Sequence, residues 1–182
     1  ETMPHNPETV GRWAERELAR MDQEKNRTKK ICVAVSHEVH SFVALDWATH
    51  LALGVCSHSN HPVPGDFAKN SEIVLMHVHK DKDTDPEAAR QLLRRYASRC
   101  ESKKIPHRAL LYRGDPSETL IDAVKAEECD CLAVGSRDLG AFRRTFMGSI
   151  SHYAVDHAPC PVFVAKSMQK FVQPPPQPEQ VV

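Results

Sequence analysis

The sequence predicts an α/β fold: a single domain built on an open twisted sheet of five parallel strands, with helices on both faces. Short apolar runs rich in β-branched residues alternate along the chain with segments of helical periodicity. An Asp-Pro pair opens two of the helical segments, at 85–86 and at 115–116. Strands that alternate with helices pair in parallel through right-handed crossovers, so these observations favour one sheet with helices on each side.

Two appendages flank the core, which residues 29–167 are expected to form. Residues 1–28 place apolar side chains, among them Trp13 and Leu18, at helical spacing and therefore predict an amphipathic helix. Residues 168–182 are Pro-rich and cannot form a helix or a central strand. They predict a disordered tail.

The elements of the core follow from local patterns. The first core helix is predicted to start at Ser41, and Asp85, Asp115 and Ser149 are the predicted N-caps of the three later helices. The segment 54–70, with its glycines and prolines, predicts a long irregular loop. Strands are predicted at 30–36, 72–79, 107–112, 132–134 and 161–164.

Charge and composition exclude several classes of function. Lys and Arg together number 24, as do Asp and Glu, so no basic excess supports nucleic-acid binding. Apolar runs such as 31–35 are too short to cross a bilayer, and a cytoplasmic protein is expected. The six cysteines are scattered, which predicts reduced thiols. Cys129 and Cys131 are expected to point to the same side of the sheet as two buried or half-buried thiols.

The second half of the chain carries the clearest binding signal. A strand ends at Gly135, a charged loop follows, and the chain restarts as a helix at Gly148. Free backbone N–H groups and the positive end of the helix dipole make such a segment a pocket for an anion. In parallel sheets ligands lie beyond the carboxyl ends of the strands, where the strand order reverses. The loops after Ser36 and Gly135 are therefore predicted to form the pocket.

Three motifs in the same half resemble a known family. They are Val-Gly-Ser-Arg at 134–137, Gly-Ser-Ile-Ser at 148–151 and His-Ala-Pro-Cys-Pro-Val at 157–162. With them, residues 29–166 resemble the universal stress protein family. The resemblance implies a Rossmann-like nucleotide-binding fold whose ligand is an adenine nucleotide, ATP or AMP, accompanied by Mg²⁺ if it is bound.

The match to the nucleotide-binding pattern departs at two positions. ATP-binding members of the family carry Gly, two residues, Gly, nine residues, and then Gly followed by Ser or Thr. Gly135 and Gly148 fill the outer positions here, whereas Asp138 stands at the middle one. A carboxylate about 4 Å from a phosphate charge costs roughly 4 kcal/mol at an effective dielectric of about 20, unless Mg²⁺ or pairing with Arg137, Arg143 or Arg144 offsets much of it. Ser36 stands where those members usually have Asp, and its hydroxyl can accept one hydrogen bond.

The resemblance assigns a set of residues to the nucleotide. On the base and ribose side they are Ala34, Ser36 and Val78. Toward the ribose and phosphates they are Val134, Gly135, Arg137, Asp138, Gly148, Ser149, Ile150 and Ser151.

No metal site and no catalytic residue is predicted. His77 and His79 project from one face of a strand, but the resemblance already places a histidine at position 77. Cysteine and histidine within 56–61 lack a second cluster at zinc-site spacing. Ser149 has no dedicated His and Asp to activate it, and the glycines of 135–140 are not followed by the Lys and Ser or Thr of a P-loop.

Three hypotheses for the function remain. The preferred one is a non-enzymatic stress-response or signalling domain that binds an adenine nucleotide, weakly because of Asp138 and Ser36. Family members commonly pair through their last strand, which predicts a homodimer through Val162 to Ala165, and the N-terminal helix or the Pro-rich tail could contact a protein partner. The second is a slow ATP hydrolase with Mg²⁺ held by Asp138. The third is a nucleotide-free dimeric interaction module.

Overall fold

The structure, a computed structural model, describes residues 7–55, 67–68, 70–80, 85–136 and 148–166. Its elements are α1 (Pro7–Asn26), β1 (Lys29–Ala34), α2 (Val39–Leu53), β2 (Ser71–His79), α3 (Pro86–Ser102), β3 (His107–Arg113), α4 (Pro116–Ala126), β4 (Cys131–Gly135), α5 (Ser149–His157) and β5 (Val162–Ala165). The five strands form one sheet in the order β3-β2-β1-β4-β5, and every neighbouring pair is parallel. The predicted fold class is confirmed, and the strand order reverses between β1 and β4.

Helices cover both faces of this sheet, because successive strand residues point to opposite sides. On one face α2 and α3 pack through residues such as Leu45 and Tyr96 against a cluster that includes Ile31. On the other face α4 and α5 pack through residues such as Val124 against a cluster that includes Val74. The central strands are thus buried on both sides, which explains why they read as continuous apolar runs.

The predicted Asp-Pro helix starts are confirmed. The Asp85 carboxylate accepts a hydrogen bond from the amide of Glu87, at 2.9 Å. The Asp115 carboxylate accepts from the amides of Ser117 and Glu118, at 2.9 and 3.2 Å. In both helices proline occupies the first turn, where its missing N–H has no intrahelical partner to lose.

The predicted start of α2 is wrong by one half-turn. The helix begins at Val39 rather than at Ser41, and Glu38 is its N-cap without a side-chain hydrogen bond to the helix amides. Ser41 is buried, and its hydroxyl bonds to the hydroxyl of Ser36 at 2.8 Å. Ser41, predicted as the start of the helix, therefore links α2 by a hydrogen bond to Ser36, in the turn that follows β1.

The prediction for the cysteines is also wrong. Cys32 and Cys129 form a disulfide whose Cα atoms lie 6.2 Å apart, at a sequence separation of 97. Cys129 lies before β4 and packs on the α4 side of the sheet, whereas Cys131 belongs to the cluster on the opposite face. The two do not share a side because Cys129 precedes the strand, so strand alternation does not govern its direction. Cys100, Cys131 and Cys160 are free thiols.

The N-terminal helix lies where the sequence predicts it, as α1. Its Leu18 and Met21 side chains are 63% and 61% exposed. Across the described ranges, no helix combines the length and the apolar character that a membrane span requires. The predicted tail, 168–182, lies outside the described residues.

Candidate functional site

A cavity of about 810 Å³ opens at the carboxyl edge of the sheet, where the strand order reverses. Turns from four strands contribute to its wall, together with the first residues of α5. The lining residues are Ala34, Val35, Ser36, His37, Glu38, His40, Ser41, Met76, His77, Val78, Lys80, Asp115, Pro116, Ser117, Leu120, Val134, Gly135, Gly148, Ser149 and Ile150.

Three helices begin at this cavity, and their N-termini differ in how they are capped. The carboxylate of Asp115 caps α4. Glu38 at the start of α2 and Gly148 at the start of α5 supply no side-chain cap. First-turn amides of a helix have no intrahelical partner, and the helix dipole adds a partial positive charge there. Two helix ends that can stabilise an anion therefore face one cavity.

The turn from β1 into α2 is held by side-chain hydrogen bonds. The Ser36 hydroxyl accepts from the amide of Glu38 at 3.2 Å, in addition to its bond with Ser41. The Tyr96 hydroxyl donates to the carbonyl oxygen of Ser36 at 2.8 Å. Burial raises the pKa of Tyr96 to about 12, so the phenol stays a donor across the physiological range. The Ser36 hydroxyl thus makes its hydrogen bonds within the turn rather than toward the cavity.

Gly135 is required by packing at the end of β4. A Cβ atom placed there would lie 2.7 Å from the carbonyl carbon of His40 and 2.7 Å from the amide nitrogen of Ser41. Both are backbone atoms of α2 and cannot move away independently. The first glycine of the nucleotide pattern therefore also permits the close approach of α2 to the sheet.

Three histidines line the cavity. The Nδ1–H of His77 donates to the carbonyl oxygen of Val35 at 2.8 Å, which fixes its tautomer because a carbonyl can only accept. Burial lowers the pKa of His77, and the charges of His37 and His79 lower it further. His40 is buried, and neither of its ring nitrogens has a hydrogen-bond partner within the described residues.

The structure brings most of the predicted nucleotide residues together. Those that line the cavity are Ala34, Ser36, Val78, Val134, Gly135, Gly148, Ser149 and Ile150. Ser151 does not line it, since it is 1% exposed and its hydroxyl donates to the carbonyl oxygen of Gly148 at 2.9 Å. Arg137 and Asp138 lie outside the described residues. Ser149 is the first residue of α5 rather than its N-cap, because Gly148 takes that position.

The sequence reasoning missed the contribution of two turns. Asp115, Pro116 and Ser117 follow β3, and Lys80 follows β2. Both turns follow the carboxyl ends of parallel strands. Ligands lie beyond such ends, so the principle that predicted the site between β1 and β4 also applies to these turns. His40 carried no local signal, because a single histidine inside a helix does not reveal its burial.

Among the described residues, no group of three or more His, Cys, Asp or Glu side chains could hold a metal ion. His77 and His79 are described residues and belong to no such group. The candidate ligands within 56–61 and Asp138 lie outside the described residues.

The fold and this cavity define a doubly wound α/β protein with its cleft at the point of strand-order reversal. The chain belongs to the Universal stress protein family, which matches residues 27–166.

Individual relatives agree with this assignment. A universal stress protein A-like protein of Arabidopsis thaliana is 37% identical over 75 residues, which cover 41% of this chain and 43% of that protein. A universal stress protein of Thermus aquaticus is 41% identical over 58 residues, which cover 32% of this chain and 42% of that protein. The chain thus spans less than half the length of each. A universal stress protein family structure from Arabidopsis thaliana, with AMP bound, is 25% identical and superposes with a TM-score of 0.56, covering 78% of this chain and 94% of that one.

Proposed function

We propose that this chain is a non-enzymatic stress-response signalling domain that binds an adenine nucleotide, ATP or AMP, in the cavity at the carboxyl edge of the sheet. The observation that carries the proposal is the convergence of two uncapped helix N-termini on one cleft. An adenine base and a phosphate need different surroundings, and the cleft offers both.

The apolar part of the wall suits the base. Met76, Val78 and Val134 line one part of the cavity and present no charge to a flat, mostly apolar ring. The starts of α2 and α5 suit the phosphate, because their amides donate and their dipoles are positive. The related Arabidopsis thaliana structure with AMP bound supports this choice of ligand.

We also propose that two copies pair through β5. This strand is at the edge of the sheet, hydrogen-bonded only to β4 within the described residues. Val162, Phe163 and Val164 are half-buried there, and Phe163 stacks on Trp47 with ring centroids 4.0 Å apart. An apolar edge strand left open invites pairing with another strand. A monomer by light scattering at micromolar concentration would count against the pairing.

The nucleotide proposal is tested by isothermal titration with AMP, ATP and adenosine, with and without Mg²⁺, on the wild type and on Ser149→Glu. Ser149 is exposed at the first position of α5, where an added carboxylate favours the helix. The same carboxylate repels a phosphate by roughly 1 to 4 kcal/mol at about 4 Å. We expect AMP and ATP affinity to fall about tenfold or more while adenosine affinity changes little.

Ser98→Glu is the matched control, because Ser98 is an exposed serine on α3, away from the cavity. It should leave all three affinities unchanged. Failure of the wild type to bind any adenine nucleotide at millimolar concentration would reject the proposal and favour the nucleotide-free interaction module. If Ser149→Glu binds AMP and ATP as tightly as the wild type, the phosphate does not bind at the start of α5.

A further inference from the structure

His40 is an unusual side chain for its place in the fold. It is 9% exposed, and neither Nδ1 nor Nε2 finds a hydrogen-bond partner among the described residues. An imidazole has one donor and one acceptor in its neutral form, and leaving buried polar groups unpaired is unfavourable. A buried polar group without a partner in the chain can be satisfied by a bound molecule or ion.

The position of His40 says which kind of molecule this would be. It is the second residue of α2, whose N-terminus has no side-chain cap, and it lines the cavity. Its Cβ and carbonyl carbon lie against Gly135, the last residue of β4. The positive end of a helix dipole and an unpaired imidazole together favour an anion over a neutral group.

Several polar groups at the same turn are already engaged. The Ser36 hydroxyl bonds to Glu38 and Ser41, and the Ser36 carbonyl oxygen accepts from Tyr96. The ring nitrogen Nδ1 of His77 is held by Val35. His37 of this turn also lines the cavity, but it is exposed, whereas His40 has buried ring nitrogens without a partner among the described residues.

We propose that His40 binds the phosphate group of the nucleotide by donating a ring N–H, next to the first-turn amides of α2. The inference rests on the proposed function and adds a phosphate ligand from the β1–α2 side to the one proposed at the start of α5. The ring nitrogens are shielded from solvent in the ligand-free chain, so the ring turns about its side-chain torsions when the phosphate enters. His40 thus contributes to discrimination between a nucleotide and its nucleoside.

The experiment compares AMP with adenosine by isothermal titration on the wild type, His40→Phe and His40→Gln. Phe keeps a planar ring but cannot donate, whereas the Gln amide retains an N–H donor. We expect His40→Phe to weaken AMP about tenfold, as expected for loss of a hydrogen bond to a charged group, and to change adenosine less than about twofold. His40→Gln should keep most of the AMP affinity.

His79→Gln is the matched control. His79 also has a buried ring nitrogen, Nδ1, without a partner, but it does not line the cavity. Its replacement should leave the ratio of AMP to adenosine affinity unchanged. A comparable change of this ratio in His79→Gln would overturn the assignment to His40.

Ring ¹⁵N resonances of wild-type histidines give a second readout, which needs no variant at the site and so holds even if His40→Phe does not fold. AMP should shift the His40 ring nitrogens and adenosine should not. Equal AMP affinity in His40→Phe, a parallel loss of AMP and adenosine, or an unmoved His40 resonance would each overturn the inference while the nucleotide proposal stands. A wild type that binds no AMP would remove both together.

Discussion

The two edges of the sheet are built in opposite ways. At the amino edge, where the strands begin, charged groups are paired and a disulfide lies close by. At the carboxyl edge, the N-termini of α2 and α5 have no side-chain cap, a cavity remains open and His40 has no partner among the described residues. The comparison indicates that one edge supplies cohesion while the other keeps polar groups available for a ligand.

Asp130 is the centre of the amino edge. Its side chain is 12% exposed, and its carboxylate accepts from Arg27 at 3.1 Å and from the amide of Lys30 at 2.8 Å. It thereby joins the end of the N-terminal extension to the starts of β1 and β4. Lys30 also donates from its side chain to the carbonyl oxygen of Glu127, at 2.7 Å.

Arg108 makes the second link at this edge. Its guanidinium donates to Glu72 at 2.9 Å and to Glu127 at 2.7 Å, so it joins the starts of β2 and β3 to the end of α4. The hydrogen bonds to Glu127 and Glu72 raise the pKa of Arg108. The ion pairs thus connect β1, β2, β3 and β4 at the edge away from the cavity.

The largest expected effect comes from removing the disulfide. Replacing both Cys32 and Cys129 by Ala frees a loop closed over 97 residues, which the chain-entropy model values at about 4.7 kcal/mol. Urea unfolding measures the loss against a control in which Cys100 and Cys131, two buried free thiols, become Ala. The control removes the same number of sulfur atoms without removing a cross-link. Thiol titration of the unreduced, denatured wild type that finds Cys32 and Cys129 free would contradict the pairing.

Breaking the ion pairs of the amino edge should cost somewhat less. Asp130→Ala leaves Arg27 and the amide of Lys30 without their acceptor, and we expect about 3 kcal/mol less free energy of unfolding. Asp122→Ala serves as its control, because that carboxylate is 78% exposed and its loss should cost below about 0.5 kcal/mol. AMP affinity should stay as in the wild type for both. Equal stability of the two variants would refute the role given to Asp130.

At the carboxyl edge, Gly135→Ala should affect stability and binding together. The added methyl group would meet the α2 backbone at 2.7 Å, and overpacking of this kind costs about 1–3 kcal/mol. Since α2 must shift, we expect AMP affinity to fall as well. Gly11→Ala is the comparison, because a Cβ at Gly11 in α1 meets nothing within 4 Å. If Gly135→Ala unfolds in urea like the wild type, the close approach of α2 is not obligatory.

The sequence predicts what local patterns determine. Asp85 and Asp115 are read as caps because the hydrogen bonds that they accept are two or three residues away. The site between β1 and β4 is predicted because parallel strands expose their carboxyl ends at one edge. Periodicity, cap residues and the rule for parallel sheets therefore together locate the sheet, the helices and the cavity.

Contacts between segments that are distant in sequence could not be predicted from local patterns. The partner of Cys32 lies 97 residues away, and no spacing rule joins the two. His40 is buried because Gly135, at the end of β4, permits the close approach of α2 to the sheet. Ser149 resembles an N-cap by residue type, yet Gly148 holds that position because the helix begins one residue earlier than the serine signal implies. The roles predicted for Arg137 and Asp138 stay predictions.

The smallest expected effect is a pH dependence of stability that arises at the carboxyl edge, from His77. Burial lowers the pKa of His77, so the folded chain binds this proton at lower pH than the unfolded chain, whose histidines titrate near 6.5. The stability that neutral His77 contributes is therefore present above about pH 6.5 and is lost as the pH falls through the lower pKa of the folded state. Urea unfolding at several pH values between 7.5 and 5.5 should show a shallower decline in His77→Gln than in the wild type.

The same interval tests whether the carboxyl edge is the acid-sensitive one. Carboxylates and guanidinium groups in general keep their charge above pH 5.5, so ion pairs of the amino edge are expected to persist there. At the cavity, the His77 Nδ1–H is already donated to Val35, so the incoming proton binds Nε2 and adds a positive charge close to His37 and His79. Hydrogen exchange should accordingly rise first at the end of β2 and in the β1–α2 turn. Faster exchange at the amino edge over this pH range would reverse the assignment of cohesion to that edge.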